Sequence, residues 1–386
     1  MIDFDKFVMD NISNLQKKDI TNITKHKINY ISDYVYNWSI IGANYEDCKQ
    51  INFIDCMCNA GIYKDSTLTT SMRVLQTFIK HAKKYPNKVF NLFLNDYDQG
   101  RIDVIIQLAK TINYEQLKNI NIIVDNMDVN NYLDSFNSKY GNRYLGYGVF
   151  TILFVDPYNF GTVKIKKLKD FSEKNYSEII FNYFSSDYLR NINNSFATSK
   201  IENIKSSMEG INEYNEQMTE IQVLDLIQAY FKTTKIKYSF AYQFRTKKNV
   251  PLYNILYATP NIRGLEEIKN TFWRVFDGNP FFLNYEEQEK NLENKQQFQL
   301  FNDKDINELS YSKEAQDKLM DKYHSMTVSY DEIAIYILEN TMLKKGQVLK
   351  DVIKPLIKSG KIIKLNKKSN NDYIHDLYNI IGDKND

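Results

Sequence analysis

Four aspartates stand where short apolar runs stop. Asp55 follows Ile51, Phe53 and Ile54. Asp96 follows the run 89–94, Asp128 the run 120–124 and Asp156 the run 149–155. One carboxylate accepts two or more hydrogen bonds, so it suits a vicinal diol such as a ribose, or an amine. A single Asp after a strand is ordinarily a helix cap or a turn former. Four in consecutive strands line one sheet edge, the carboxyl edge at which open α/β sheets hold ligands. The stretch Asn-Phe-Ile-Asp-Cys-Met-Cys-Asn-Ala-Gly-Ile-Tyr, residues 52–63, reads as a buried strand ending in a tight turn. Gly61 supplies a residue that takes a positive φ without steric cost. Asp156-Pro157-Tyr158 pairs a carboxylate with a ring, although Asp-Pro by itself is equally a strand-ending turn.

Elements to position these residues follow from hydrophobic periodicity. Ile28, Ile31, Val35 and Trp38 predict a helix over 25–38. His26 at its start is either an exposed helix-terminal residue or one that reaches a ligand at the end of the first strand. Helices over 68–82 and 102–109 separate the first three strands, and a fifth strand is expected over 179–184. Strand and helix in alternation predict a parallel sheet with helices on both faces. Residues 191–232 carry no strand signal and read as a helical insertion; 236–244 and 252–258 then suggest an antiparallel hairpin.

The chain has 386 residues, 43% hydrophobic and 25% charged, with a formal net charge of +2, so no global field draws nucleic acid and any basic surface is local. With 29 Tyr against 13 Gly and 6 Pro, and many Asn and Lys, single residues of the abundant types are weak functional signals. Three cysteines (Cys48, Cys56, Cys58) without a second ligand pair make a zinc site improbable and a reducing compartment the expectation. No secretory signal and no apolar run of about 18 residues is read, so a cytoplasmic chain without a membrane span is expected.

The expected organisation is a sheet domain over 1–285, a polar linker over 286–328 and a small domain over 329–386. In the last, helix, turn, helix, Gly and short strand outline a winged helix. Lys350, Lys354, Lys358 and Lys361 share one helical face on which phosphates can be tracked, if the helix survives Pro355. A solvated face or a protein-docking one fits the same residues.

In this order the elements resemble the class I S-adenosylmethionine (AdoMet) methyltransferases, whose sheet is Rossmann-like with a terminal hairpin. More narrowly they resemble the three-Cys-motif partner proteins. The resemblance rests on Lys25-His26-Lys27-Ile28 with Trp38, on 53–63, on Phe-Val-Asp-Pro-Tyr-Asn-Phe-Gly at 154–161, and on 253–264. Cys56, Asn59 and Ala60 replace Gly, Gly and Pro of the family's turn, and Gly61 remains of three glycines. The resemblance implies AdoMet as cofactor, with Asp96 on the ribose, Asp128 near the adenine amino group, and Asp55, Cys58, Asn59, Gly61 and Tyr63 around the turn. Asp156, Pro157 and Tyr158 are similar to the Asp-Pro-Pro-Tyr motif of enzymes that methylate exocyclic amino groups, with Phe160 or Tyr183 as a second ring. It further implies a nucleic acid substrate, a three-Cys-motif partner resembling a radical-AdoMet enzyme, and a role in mobile elements or phage defence. The degenerate turn keeps open an alternative: a catalytically weak nucleotide-binding adaptor that recruits DNA or protein through the winged helix.

Overall fold

The computed structural model describes residues 3–15, 19–112, 114, 116–192, 198–233, 235–246, 248–282, 303–365 and 376–381. Two compact units result: Met1–Asn261 with Phe281–Gln288, and Ile262–Pro280 with Glu289–Asp386. No described helix is long and apolar enough to cross a membrane.

The first unit opens with helices α1 (Phe4–Asn11) and α2 (Asn22–Asn44). Then β1 (Gln50–Asp55), α3 (Thr70–Lys84), β2 (Val89–Asn95), α4 (Gln99–Thr111), β3 (Ile120–Asp125), α5 (Val129–Tyr144), β4 (Val149–Val155), α6 (Ile165–Asn175) and β5 (Glu178–Tyr183) alternate. Helix α7 (Ser185–Ile192) leads into the expected insertion over 191–232, where α8 (Thr198–Ser207) and α9 (Glu220–Phe231) lie; residues 193–197 of it lie outside the described residues. The hairpin β6 (Tyr238–Arg245) and β7 (Pro251–Thr259) follows, and β8 (Phe281–Phe282) adds a short edge.

The strand order is β3-β2-β1-β4-β5-β7-β6-β8. Strands β1 to β5 are parallel, and β7 runs antiparallel between β5 and β6. This is the Rossmann-like methyltransferase sheet expected above. The chain winds outward through β2 and β3, then returns to the other side of β1 as β4. That reversal makes β1/β4 the switch point, where the two crossovers part and leave a crevice.

Strands β1, β2 and β4 are buried almost throughout, as strands covered on both faces must be. One polar row crosses them in register. Asn121 donates to Asn91 (2.8 Å), Asn91 to Asn52 (2.8 Å), and Asn52 to Thr151 Oγ1 (3.2 Å) and the Tyr144 carbonyl (2.6 Å). Each amide is satisfied by its neighbour, which is what makes polar groups tolerable inside the sheet.

In the second unit, α10 (Ile262–Phe276), α11 (Asp303–Tyr323) and α12 (Tyr330–Asn340) accompany a three-stranded sheet. Its strands are β9 (Thr327–Ser329), β10 (Ile362–Lys364) and β11 (Leu377–Ile380), antiparallel in the order β10-β11-β9. The expected boundaries shift in two places. Residues 286–302 of the supposed linker lie outside the described residues, but 303–328 are α11, its lead into β9 and the start of that strand. There Tyr311, Ala315 and Leu319 are buried, a spacing of four hidden in a polar composition. Helix α10 belongs to this unit and not to a domain ending at 285. Its Trp273 Nε1 donates to the Met342 carbonyl (2.8 Å), its Glu266 pairs with Lys345 (2.6 Å), and its buried Lys269 donates to the Thr341 carbonyl.

Pro355 neither breaks nor ends the helical rod made by Lys345–Gln347, Val348–Ile353 and Lys354–Lys358. The middle piece is a wide π turn, and the carbonyl of Asp351, which a proline four residues on cannot bond, accepts from Gln316 Nε2 (2.9 Å). The four-lysine face is corrected. Lys350, Lys354 and Lys358 are exposed on the rod, but Lys361 comes after its end. Lys350 is engaged with Glu308 (3.2 Å) and Asp351 (3.4 Å).

Candidate functional site

The turn after β1 is built by hydrogen bonds to its own carboxylates. Asp55, the last residue of the strand, accepts from Met57 N (3.1 Å) and from the Ser71 hydroxyl at the start of α3. Cys58 N donates to the Asn95 carbonyl (2.8 Å), and Asn59 N to Asp96 Oδ2 (3.0 Å). Asn59 adopts φ 58° and Gly61 φ 82°, so an Asn carries one of the left-handed positions. Asn does this at lower cost than most residues because its short amide bonds locally; here Oδ1 accepts from Ala60 N (2.8 Å). Gly61 is required on two counts. Its φ is positive, and a Cβ would stand 2.9 Å from Ile105 Cγ1 and 3.0 Å from Leu108 Cδ2.

Burial sets the charges of this turn. It pushes the Asp55 carboxyl up to about 7, with Asp156 and Asp96 adding to the rise and Ser71 and Met57 N opposing it. Burial also raises Asp96, against the Asp98 amide, Arg101 and the Asn59 amide. Cys56 and Cys58 are raised well above the ordinary thiol value by burial, then by Asp55. These are inert, buried thiols.

Two cavities lie along this edge of the first unit. The smaller, about 160 Å³, is lined by Thr24, Lys27, Ile28, Asp55, Met57, Cys58, Asn59, Tyr63, Thr69, Thr70, Phe154, Asp156, Pro157, Tyr158 and Phe184. The larger, about 430 Å³, is lined by Cys56, Met57, Asp96, Tyr97, Arg101, Met127, Asp128, Val129, Tyr158, Asn159 and Thr162. Met57 and Tyr158 line both. The structure thus gathers Asp55, Cys58, Asn59, Tyr63, Asp156, Pro157 and Tyr158 around the first, and Asp96, Asp128 and Tyr158 around the second.

Several of these side chains are already committed. Asp128 Oδ1 caps α5, accepting from Asn130 N (2.9 Å) and Asn131 N (3.3 Å). Asp96 holds the turn through Asn59 N and Asp98 N, with Arg101 3.7 Å away. Each carboxylate still has lone pairs to offer. Asp156 Oδ2 is 2.5 Å from Lys27 Nζ, and Oδ1 accepts from Asn182 Nδ2 (2.7 Å). Tyr158 is 43% exposed; its hydroxyl accepts from Arg101 (2.5 Å), whose guanidinium lies 5.2 Å from the ring centre. Phe160 and Tyr183 are not second rings of the site. Both are buried in the core, edge-on to one another at 5.1 Å. Tyr63 and Phe184 line the smaller cavity instead.

The residues that sequence reasoning missed are Lys27, Arg101 and Thr69. His26 turns to Phe282, with ring centres 4.4 Å apart, and its neighbour Lys27 reaches the site. The signal was present: Lys27 stands in helical register with Ile31, Tyr34 and Trp38, all buried, and a lysine on an apolar stripe needs a charge partner.

The donor set fits an adenosyl sulfonium. The cavities together reach the roughly 300–1,000 Å³ of small-molecule sites. Asp55 and Asp156 supply negative charge for a cation, and Thr69, which lines the smaller cavity and is only 7% exposed, has a buried hydroxyl with no hydrogen-bond partner among the described residues.

No family model and no curated sequence matches the chain. Among solved structures it is similar to a Legionella pneumophila protein, at 10% identity and a TM-score of 0.35, over 64% of this chain and 92% of that one. It is also similar to a Staphylococcus aureus protein described as a caffeoyl-CoA O-methyltransferase (12% identity, TM-score 0.32, 66% and 91% covered). A loganic acid methyltransferase solved with SAH gives 11% identity and a TM-score of 0.30, with 70% and 88% covered.

Proposed function

We propose that this protein is an AdoMet-dependent methyltransferase acting on nucleic acid, at an exocyclic amino group. The observation that carries the reading is the pair of neighbouring cavities at the β1/β4 switch point, which share Met57 and Tyr158 and are each lined by two aspartates. When bound, AdoMet supplies a methyl group activated by its sulfonium. Asp96 and Asp128 would hold the adenosine end through their remaining lone pairs. Asp55 would face the sulfonium, Asp156 would accept from the target amine, and Tyr158 would offer a face to a base, a contact worth about 1–3 kcal/mol. A base in a duplex must first be flipped out. In the second unit, the element order and the β10-β11-β9 sheet support a winged helix, with Lys350, Lys354 and Lys358 as its phosphate contacts. The partnership with a three-Cys-motif protein, and a role in phage defence, rest on the resemblance alone; co-purification from the native host tests the first.

Calorimetry with S-adenosylhomocysteine (SAH) tests the core of the proposal. Binding in the micromolar range is expected, and no heat at millimolar ligand would overturn it. For the nucleic acid, affinity should fall steeply with salt, and Lys354→Gln with Lys358→Gln should lower the slope by about 2.

One observation favours the adaptor reading. Both oxygens of Asp156 are occupied, by Lys27 and Asn182, where a methylatable amine would need an acceptor. An adaptor would bind SAH and nucleic acid yet transfer no methyl group to any nucleic acid it binds.

A further inference from the structure

Charge over the whole chain is nearly balanced, with 50 Lys and Arg against 48 Asp and Glu, yet residues 226–265 hold seven basic residues and no acidic one. Most of that stretch is the β6–β7 hairpin, and strand register fixes where its two ends lie. Strand β7 is antiparallel to β5, with Tyr183 opposite Asn254, and Arg245 at the end of β6 pairs with Pro251. The tip, residues 246–250, therefore projects past the carboxyl end of β5. Lys232, Lys235 and Lys237 precede β6 and fall at the opposite edge. The carboxyl edge is thus divided by charge, with Asp55, Asp96, Asp128 and Asp156 at the ends of β1 to β4 and a basic tip beyond β5.

The tip is braced by its own hydrogen bonds. Thr246 N donates to the Val250 carbonyl (2.9 Å), Asn249 N to the Thr246 carbonyl (2.9 Å) and Val250 N to Thr246 Oγ1 (3.2 Å), with Asn249 at φ 59°. Arg245 is oriented by uncharged groups. Its Nε donates to Gln243 Oε1 (2.5 Å) and its Nη1 to Asn249 Oδ1 (3.0 Å), and its guanidinium lies 3.9 Å from the ring centre of Phe281 in β8. Three of its five N–H groups remain for a ligand. Lys248 is exposed, and neither it nor Arg245 has an ion-pair partner among the described residues. A guanidinium fork held in place without a carboxylate is preorganised for a phosphate. The tip is also rooted beside the smaller cavity. The Tyr253 ring meets Phe184 (5.6 Å between ring centres) and Lys27 Nζ (5.3 Å), and both of those residues line it. Three residues of chain separate Tyr253 from Val250, about 10 Å, the span of about three stacked nucleotides.

We infer that the β6–β7 tip is a phosphate clamp for a single nucleic acid strand. Arg245 holds one phosphate and Lys248 another, about three nucleotides from the base presented at the smaller cavity. A strand opened from its duplex is the form that brings phosphates this near an unpaired base. The inference rests on the proposed action on nucleic acid. It gives the first unit backbone contacts of its own, separate from the lysines of the second.

The test titrates the full chain with a fluorescein-labelled single strand of about 20 nucleotides, as DNA and as RNA, and follows anisotropy from about 50 to 200 mM salt. Phosphates are common to both, so binding of either strand serves. Arg245→Gln with Lys248→Gln should weaken binding about tenfold and lower the slope of log affinity against log salt by about 1.4, the value for two phosphates of a single strand. SAH affinity, read by calorimetry, should stay within about twofold. Arg245→Lys with native Lys248 keeps the charge, loses the fork and should recover only part of the affinity. Lys248→Glu, at an exposed position, should weaken binding several-fold by itself, and it serves should the Arg245 variants fail to fold. Unchanged affinity and slope in the double variant overturn the inference and leave nucleic acid binding to the second unit. Binding of neither strand by the wild type overturns the nucleic acid reading and this inference with it. Poly-glutamate of similar length that binds as tightly, and loses that affinity in the double variant, assigns the tip to an acidic protein and overturns the inference as well.

Discussion

Lys27 on α2 and Asp156 after β4 meet at 2.5 Å across 129 residues of sequence, and they tie the first long helix to the carboxyl edge of the sheet. A largely buried pair of this kind adds little net stability, yet removing one partner strands the other charge. Lys27→Met should therefore destabilise the first unit by about 3 kcal/mol, the low end of the range for buried pairs because Asp156 keeps some solvent. Adding Asp156→Asn should recover most of that loss. Urea unfolding of the three proteins checks it; a single variant as stable as the wild type would sink the claim.

Asp55 gives the turn a pH dependence. Its folded-state value is raised to about 7 by burial, against an unfolded value near 4. Between those limits the folded state binds more protons than the unfolded state. Stability from this group is thus highest at low pH and declines as pH rises through 7, by up to about 1.4 kcal/mol per pH unit. Asp55→Asn should flatten the fall in urea midpoint between pH 5 and 8. Midpoints that fall equally in both proteins would refute the assignment.

The same group should grade ligand affinity. A sulfonium favours the ionised carboxylate, so AdoMet should gain affinity over SAH, the neutral thioether, as pH rises from 6 to about 8. Calorimetry at both pH values reads the ratio, and a ratio that is constant with pH contradicts the placement of Asp55 beside the cation.

Lys269 should act with the opposite slope in the second unit. Burial lowers it to about 7, so between there and its unfolded value near 10 the unfolded state binds the extra proton, and stability rises with pH. Lys269→Met should remove the gain in melting temperature of the second unit between pH 7 and 9.5; persistence of the gain would assign it elsewhere.

The Asn ladder is a packing claim with a measurable cost. Asn91→Leu would leave Asn52 Oδ1 without its donor and Asn121 Nδ2 without its acceptor. The expected loss is about 1–3 kcal/mol for each stranded group, whereas an exposed Asn→Leu change should stay within about 0.5 kcal/mol. Urea denaturation of the two variants distinguishes them.

Much of the first unit could be read from the chain alone, because apolar runs alternating with amphipathic helices leave a parallel sheet as the only way to bury both. The runs that became β1 to β5 and the hairpin were found with ends shifted by a residue or two. Polar residues inside those runs could not be interpreted the same way. Asn52, Asn91 and Asn121 look like ordinary members of an Asn-rich chain until strand register places them side by side. Helix α11 does not show in the sequence because its fully buried apolar residues are only Tyr311, Ala315 and Leu319 and its surroundings are polar and charged.

For the site, the sequence by itself determined which residues stand at strand ends. Asp55, Asp96, Asp128 and Asp156 reach one edge because each strand runs in the same direction. Only the tertiary structure decided what each one does there. Asp128 spends an oxygen on a helix cap, Asp96 braces the Asn59 turn, and Asp156 faces a lysine from the start of the chain. Partnership is a matter of distance in space, and local pattern carries no information about a contact 129 residues away.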